Sequence, residues 1–365
     1  MNDYFFISSP LHFLIAANIA IQNPQNRRVA VLISKTRGSG ARYRVAAGKT
    51  PEIFSRVIDL SDAVSQGRGT RSSVFRMLKD EFSQPVAMRL FTGNDRRMEF
   101  QYAMHIASRL GRQVEGIYMD EGAVTYVGHK SMHSIQHRYI DPFFKKLFYG
   151  FWYRNAMTTG TSAWVRSAHV AFPELVHPLL KRKRLVAIDA APFKTPSFRA
   201  LVSAMLAEAG YMADMLQGLR LVLTLPHEGS YIRRPEMYQA LSQCLREHYE
   251  PSAMAIKPHP RITNHHILEQ MFPGMTLLDS RIGMEMLLPL LNDGCIVAGD
   301  ISSTLLTTRW LRPDLQVLAL SSGEAAPAAM ASLYRQLQIP MLAVGQLDGV
   351  LPPARCSGGG TCPGA

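Results

Sequence analysis

The chain contains no Asp-x-Asp pair, no Gly-x-x-x-x-Gly-Lys-Ser/Thr loop and no Gly-x-Gly-x-x-Gly fingerprint. Their absence removes the usual carboxylate holder for a nucleotide-bound divalent metal, the P-loop cradle for a triphosphate and the dinucleotide-binding turn. Long apolar runs are missing too: the stretch from Phe13 to Ile21 is broken by Asn18 and is too short to cross a bilayer. The opening Met1-Asn2-Asp3-Tyr4-Phe5-Phe6 has no basic segment of the kind that starts a secretory leader, so a cytoplasmic location is expected. Cysteine is scarce, with four residues (Cys244, Cys295, Cys356, Cys362) at no zinc-ligand spacing. Cys244 and Cys295 lie in apolar stretches where a reduced thiol behaves as a small hydrophobe. Neither a metal nor a cofactor is therefore expected. Charged residues amount to only 19% against 47% hydrophobic ones, which excludes disorder and points to a folded globular chain.

At 365 residues the chain is long enough for two hydrophobic cores. The charge that is present is one-sided, with a net +12 and a pI near 9.7, and such a field draws anions inward. Nucleic acid, acidic lipid headgroups and sugar nucleotides all satisfy it. An aromatic-basic recognition motif is absent, so nucleic acid is not the expected partner.

Short apolar runs alternate with helical patterns along most of the length, the pattern of parallel α/β layers. Strands are expected at Tyr4–Ser8, Val29–Ile33, Ala87–Phe91, Val114–Tyr118 and Arg184–Ile188 in the first half. In the second half they are expected at Leu219–Leu225, Ala253–Lys257, Thr276–Leu278, Cys295–Ala298 and Gln316–Leu320. Helices are expected at Leu11–Ile21, Glu99–Leu110, Pro142–Arg154, Phe198–Ala209, Glu236–His248, Met284–Leu291, Thr304–Trp310 and Ala328–Leu337. The Pro-punctuated segment Asp189 to Pro196 places the hinge, giving domains 1–195 and 196–345, with a Gly- and Pro-rich flexible tail over 346–365. Two Rossmann-like domains facing each other across a cleft, the GT-B arrangement, would put ligands at the carboxyl ends of both sheets.

Three segments sit where such sheets carry chemistry. Asp120-Glu121-Gly122 follows a strand directly, and a carboxylate there can act as general base, although a solvated turn with Gly122 at positive φ explains it equally well. Lys257-Pro258-His259-Pro260-Arg261 follows another, its prolines holding an extended backbone with His259 between two cations, a set suited to phosphate. A second His-Pro pair, His177-Pro178, has no strand before it and reads as structural. Gly299-Asp300-Ile301-Ser302-Ser303-Thr304 precedes a helical pattern, so Ser302 and Ser303 fall at a helix N-terminus, which serves as an anion site or as a simple cap. Ser8-Ser9-Pro10-Leu11-His12 links the first strand to the first helix, and Ser8, Ser9, His12 and Gly122 are expected to line the cleft. Without a metal, a nucleoside monophosphate is the natural leaving group, because Lys, His, Ser and a helix dipole can neutralise its single phosphate.

In this order, and together with Ile7-Ser8-Ser9-Pro10-Leu11-His12-Phe13-Leu14-Ile15-Ala16, these motifs resemble those of the bacterial sialyltransferases and polysialyltransferases that act on lipooligosaccharide and capsule. That family carries an acidic-acidic-Gly motif, an His-Pro motif and a later Ser/Thr pair, and the likeness runs from about Tyr4 to Leu320. The resemblance implies a GT-B fold, an inverting transfer of sialic acid or a related acidic sugar from a CMP donor, and no metal. It implies that Glu121 or Asp120, with Glu121 favoured, takes the acceptor proton. His259 would hold and protonate the CMP phosphate, with Lys257, Pro260, Arg261, Ser302, Ser303 and Thr304 around it. The neighbouring alternatives are a CMP-Kdo or capsule-polymer transferase of the same fold, and, in another class, a non-catalytic polyanion-binding protein.

Two segments concern a glycan or glycolipid acceptor. Phe143, Phe144, Leu147, Phe148, Phe151 and Trp152 share one helix face, which is expected to be a core stripe. The opposite basic face, with Lys181-Arg182-Lys183-Arg184, would allow peripheral contact with an anionic inner membrane, a solvated charge run being the plainer expectation.

Overall fold

A computed structural model describes residues 1–34, 39–65, 71–110, 113–129, 134–211, 214–321 and 327–353. The chain divides into two units, Met1–Tyr211 and Met212–Ala365.

The first unit is a seven-stranded parallel sheet with β1 (Asn2–Ile7), β2 (Arg27–Leu32), β3 (Arg56–Asp59), β4 (Met88–Thr92), β5 (Val114–Met119), β6 (Val165–Val170) and β7 (Arg184–Ala187). The spatial order is β3-β2-β1-β4-β5-β6-β7. The helices between are α1 (Pro10–Ile21), α2 (Ser39–Lys49), α3 (Ser61–Ser65), α4 (Arg71–Phe82), α5 (Met98–Arg109), α6 (Ala123–Val127), α7 (Asp141–Tyr149) and α8 (Pro196–Ala207). β1 is central and wholly buried, which its run Tyr4-Phe5-Phe6-Ile7 dictates. Asp3 survives there because Arg89 on β4 grips its carboxylate with two hydrogen bonds of 2.7 and 2.6 Å. α1 starts sharply: Ser9 caps it by accepting the His12 N–H at 3.2 Å, and Pro10 follows in the first turn.

The second unit repeats the plan with β8 (Leu221–Thr224), β9 (Met254–Lys257), β10 (Thr276–Leu277), β11 (Ile296–Asp300), β12 (Gln316–Leu320) and β13 (Met341–Leu342), ordered β10-β9-β8-β11-β12-β13. Its helices are α9 (Asp214–Gln217), α10 (Glu228–Ile232), α11 (Pro235–His248), α12 (His265–Met271), α13 (Met284–Leu287), α14 (Ser303–Leu311) and α15 (Ala328–Gln336). In each unit the chain winds outward from one central strand, returns, and winds the other way. The reversal lies between β1 and β4 in the first unit and between β8 and β11 in the second. Ligands of doubly wound sheets bind at such reversals, beyond the carboxyl ends of the strands.

Several expectations need correction. The boundary lies at 211/212 rather than 195/196, because α8 packs against α2 and buries Phe198, Leu201 and Val202 in the first unit. The tail expected from 346 is partly structured: Val344–Gly349 forms a 3-10 helix anchored by buried Leu347, while 354–365, with Cys356 and Cys362, lies outside the described residues. The helix expected over Met284–Leu291 breaks after Leu287, where Pro289 forces a 3-10 turn. α7 stops at Tyr149, since Gly150 takes φ 114. Its aromatic stripe is no core: Phe143, Leu147, Phe148 and Phe151 are 63%, 67%, 75% and 85% exposed. No helix among the described residues is long and apolar enough to cross a membrane.

Candidate active site

At the reversal of the first sheet three strand ends meet. β1 leads into Ser8 and the α1 cap, β4 into Gly93-Asn94-Asp95-Arg96-Arg97, and β5 into Asp120-Glu121-Gly122. His12 projects from the first turn of α1 and is 1% exposed, its Nδ1 lying 3.1 Å from Ser8 Oγ. Space for its ring comes from Gly93: a Cβ added there would fall 1.9 Å from His12 Nε2. On the far side of that nitrogen, Glu121 Oε1 lies 4.0 Å away.

Asp120 and Glu121 are chain neighbours with opposite surroundings. Asp120 is buried, and its carboxylate accepts from Gly122 N at 2.7 Å, Ala171 N at 2.9 Å, Thr125 Oγ1 at 3.0 Å and the Tyr126 hydroxyl. Burial raises its pKa, and these four donors pull the other way. Gly122, at φ 71, opens α6 and turns the chain so that its own N–H reaches Asp120. Glu121 has fewer bonds: its backbone N–H is tied to Thr125 Oγ1 at 2.9 Å and Asn94 is a side-chain partner of its carboxyl, yet Oε2 is buried without a partner. His12 Nε2 is likewise buried without a hydrogen bond. Desolvation, then the charge of Asp95, pushes Glu121 up to about 8, while burial and the Arg97 charge bring His12 down to about 4. Near neutral pH the pair is a mostly protonated carboxyl facing a neutral imidazole. Two unmet polar atoms, on a buried and a half-buried side chain that approach to 4.0 Å, form a socket for a group that donates and accepts, such as a hydroxyl.

At the reversal of the second sheet the loops after β8, β9 and β11 converge. β8 and β11 approach so closely that a Cβ on Gly299 would sit 1.9 Å from Thr224 Oγ1. After β9, His259 is half-buried and its Nδ1 accepts the Arg261 N–H at 3.1 Å, which leaves the proton of the neutral ring on Nε2. Its ring lies 5.6 Å from that of His227, which follows β8. Burial, then His227, Arg261 and Lys257, lower the His259 pKa. Arg261 and Pro260 are exposed beside it. After β11, Ser302 takes the N-cap place of α14, but its hydroxyl caps nothing and its Oγ is buried without a partner. Its backbone is clamped by Tyr334, whose hydroxyl donates to Ser302 O at 2.6 Å and accepts Ser302 N at 2.9 Å. Ser303 is exposed in the first turn, and Thr304 O accepts the Thr308 hydroxyl at 2.9 Å. An unused hydroxyl, the unsatisfied N–H groups of a helix start and a histidine donor are what a phosphate needs.

One expected phosphate ligand is placed otherwise. Lys257 is 4% exposed, and its ammonium donates to Pro258 O at 2.8 Å and Ser280 O at 3.3 Å, so it braces the His-Pro loop from below. Burial brings it down to about 8. Ser9, expected to line the cleft, spends its hydroxyl on the α1 cap. His177, expected to be structural, accepts the Leu179 N–H through Nδ1 at 3.3 Å. Sequence reasoning missed Asp95, His227 and the pairing of His12 with Glu121. Asp95 is fully buried and accepts Gly160 N and Ser162 N at 2.9 and 2.7 Å; burial raises its pKa and these donors pull the other way. A polar run straight after a buried strand was the available signal for it.

No protein-family model matches the chain, and no curated protein sequence matches it. Solved structures do. The chain is similar to an alpha/beta-galactoside alpha-2,3-sialyltransferase from Photobacterium phosphoreum, at 13% identity and a TM-score of 0.58, over 95% of this chain and 98% of that one. It is similar to a UDP-N-acetylglucosamine 2-epimerase at 12% identity and a TM-score of 0.56, over 96% and 87% of the two chains. A UDP-glucose:anthocyanidin 3-O-glucosyltransferase in complex with UDP follows at 11% identity and a TM-score of 0.51, over 96% and 90%. At these identities the likeness is one of fold, and the chain has a GT-B-like fold of two parallel-sheet α/β domains.

Proposed function

We propose that the chain is a metal-independent, inverting glycosyltransferase that moves sialic acid or a related acidic sugar from a CMP donor to a cell-surface glycan. The observation that carries this reading is the socket at the first reversal, where His12 Nε2 and Glu121 Oε2 are buried without partners and Glu121 is raised to about 8. A carboxylate with a pKa near the working pH suits a general base. In the proposed step Glu121 takes the proton of the acceptor hydroxyl as that oxygen bonds to the anomeric carbon. The bond from that carbon to the phosphate oxygen breaks, and CMP leaves with the electron pair. His259 Nε2–H, Ser302 Oγ and the start of α14 receive the phosphate charge, with Arg261 adding its field. The phosphate monoester leaves without a proton from His259, whose neutral ring gives only its Nε2–H hydrogen bond, and the proton held by Glu121 passes to solvent. Protein cations and a helix start then fill the place of a metal. The fold shared with a sialyltransferase over nearly its whole length supports the reading, as does the order of the motifs.

A donor screen tests it: CMP-sialic acid should release CMP in the presence of a galactoside acceptor, and CMP-Kdo should not. Turnover of CMP-Kdo alone would move the chain to the neighbouring reading, and absence of CMP binding would sink both.

The exposed stripe favours a peripheral membrane location. Ile135, Tyr139, Ile140, Phe143, Phe144, Leu147, Phe148 and Phe151 recur at helical spacing through Gln136–Ile140 and α7, with Arg138, Lys145 and Lys146 among them. Aromatic and aliphatic groups beside cations fit the boundary of an anionic bilayer, where a lipid-linked acceptor is found. Vesicles containing phosphatidylglycerol should sediment the protein, and Phe144→Ser/Phe148→Ser should abolish this. Unchanged sedimentation of that variant would remove the helix from the proposal.

A further inference from the structure

Away from both reversals, Cys244 and His248 stand one helical turn apart on the last turns of α11, facing Asp348 on the 3-10 helix Val344–Gly349. The thiol sulfur, an imidazole nitrogen and a carboxylate oxygen lie within 4.8 Å of one another. We propose that these three residues bind a divalent transition metal, zinc by preference, which clips the 3-10 helix near the end of the second unit onto α11.

The distances suit the ion. Tetrahedral zinc, with Zn–S of about 2.3 Å and Zn–N or Zn–O of about 2.0 Å, sets sulfur and oxygen ligands about 3.5 Å apart and nitrogen and oxygen ligands about 3.3 Å apart. Cys244 Sγ lies 3.5 Å from Asp348 Oδ1, and His248 Nε2 lies 3.0 Å from the same oxygen. The histidine is set as a ligand would be. Its ring is buried, and Nδ1 donates to the Pro352 carbonyl at 2.6 Å, which fixes the neutral ring with its lone pair on Nε2, aimed at the carboxylate. A hydrogen bond from the other ring nitrogen to a carbonyl is what orients metal-bound histidines. The carboxylate facing Nε2 needs a positive species there, which in the metal-free chain is a proton on Nε2 that makes the two an ion pair at 3.0 Å. One divalent ion takes the place of that proton and also accepts the thiolate, and both protons go to solvent. Water completes the fourth position.

The cluster is separate from the candidate active site. Tyr238, near the start of α11, donates to Asp300 at the carboxyl end of β11. His248 lies about 15 Å further along the helix axis by the helical rise. Buried Leu347, next to Asp348, already packs in the core of the second unit, so the ion would lock an element that apolar contact has placed. Its role is structural, and the proposal stands whether or not the chain transfers a sugar.

The test is metal titration of the full-length protein after chelation and dialysis. One equivalent of Zn2+ per chain should bind and raise the melting temperature. Co2+ should give the visible bands of a tetrahedral site with a thiolate charge-transfer band in the near ultraviolet. Cys244→Ser should remove the charge-transfer band, and Asp348→Asn, at an exposed position that leaves the core intact, should weaken Zn2+ binding at least about 10-fold. Cys356→Ser/Cys362→Ser should keep the bands, which assigns the thiolate to Cys244. Failure of the wild-type chain to take up Zn2+ overturns the proposal, and so does uptake that survives Cys244→Ser and Asp348→Asn. Should His248→Gln misfold, those two variants and the cobalt spectrum still decide.

Discussion

The two sheet reversals are built alike and furnished differently. At the first, His12 is buried and Glu121 half-buried with its Oε2 buried, and both are moved from their ordinary pKa values, Glu121 to about 8 and His12 to about 4. At the second, His259 is half-buried and Arg261 exposed, and only the Ser302 hydroxyl is held dry and unused. A proton-transfer group gains from desolvation, which tunes its basicity. An anion clamp gains from donors that remain accessible, because a fully buried cation would lose its charge or be spent on the fold. Lys257 shows the second case: it was drawn inward and now holds carbonyl oxygens.

The largest expected effect breaks the first reversal without touching the second. Glu121→Gln should lower turnover on the order of 10²- to 10⁴-fold, the usual worth of a general base, with CMP affinity unchanged. In the parent, kcat/KM should rise with pH through about 8 as Glu121 ionises, and the variant should lack this limb. The stability sign is opposite to the activity sign. A carboxyl raised in the fold favours folding below its unfolded value and loses that contribution as pH rises through about 8. Glu121→Gln should therefore melt no lower than the parent at pH 8.5. Near parental turnover would reduce the acidic pair to a turn.

The next effect belongs to the second reversal. His259→Ala should weaken CMP binding by roughly one to two powers of ten, the loss of about 1.5–3 kcal/mol for a charge-assisted hydrogen bond. Ser302→Ala/Ser303→Ala should share that defect, and His177→Ala should show none. Calorimetric titration with CMP separates them, and an unchanged affinity in His259→Ala would remove the second unit as the donor side.

A smaller contrast divides the two neighbouring acids. Asp120→Asn leaves amide hydrogens facing four donors and should cost about 2–4 kcal/mol of stability, seen as a lowered melting temperature. Glu121→Gln should not show that loss, so equal melting of the two variants would erase the distinction. The smallest effect concerns chelation. Turnover per folded chain should persist in excess EDTA, since the proposed metal cluster lies at the far end of α11 from the candidate site, and a loss restored by magnesium would overturn metal-independent transfer.

The sequence by itself determined the parallel α/β class and most central strands, because a strand buried on both faces must be apolar throughout, as Tyr4 to Ile7 and Leu221 to Leu223 are. β3, β6 and β13 escaped it. On β3, Arg56 and Asp59 pair with Glu81 on α4 and Arg44 on α2; on β6, Ser167 donates to Glu115 on β5; and β13 is only two residues long. Position after a strand singled out Asp120, Glu121 and His259. Only tertiary structure separated Asp120 from Glu121, because the donors that saturate Asp120 include Ala171, 51 residues away. The partnership of His12 with Glu121 arises where β1, β4 and β5 lie side by side and Gly93 leaves room between them. The aromatic stripe of α7 was legible as a stripe, but amphipathic spacing is the same whether a face meets a core or is left open, and the fold left it open. Cys244 and His248 stand at helical spacing in the sequence, but Asp348 reaches them only because Leu347 is buried in the core and carries its neighbour to the end of α11.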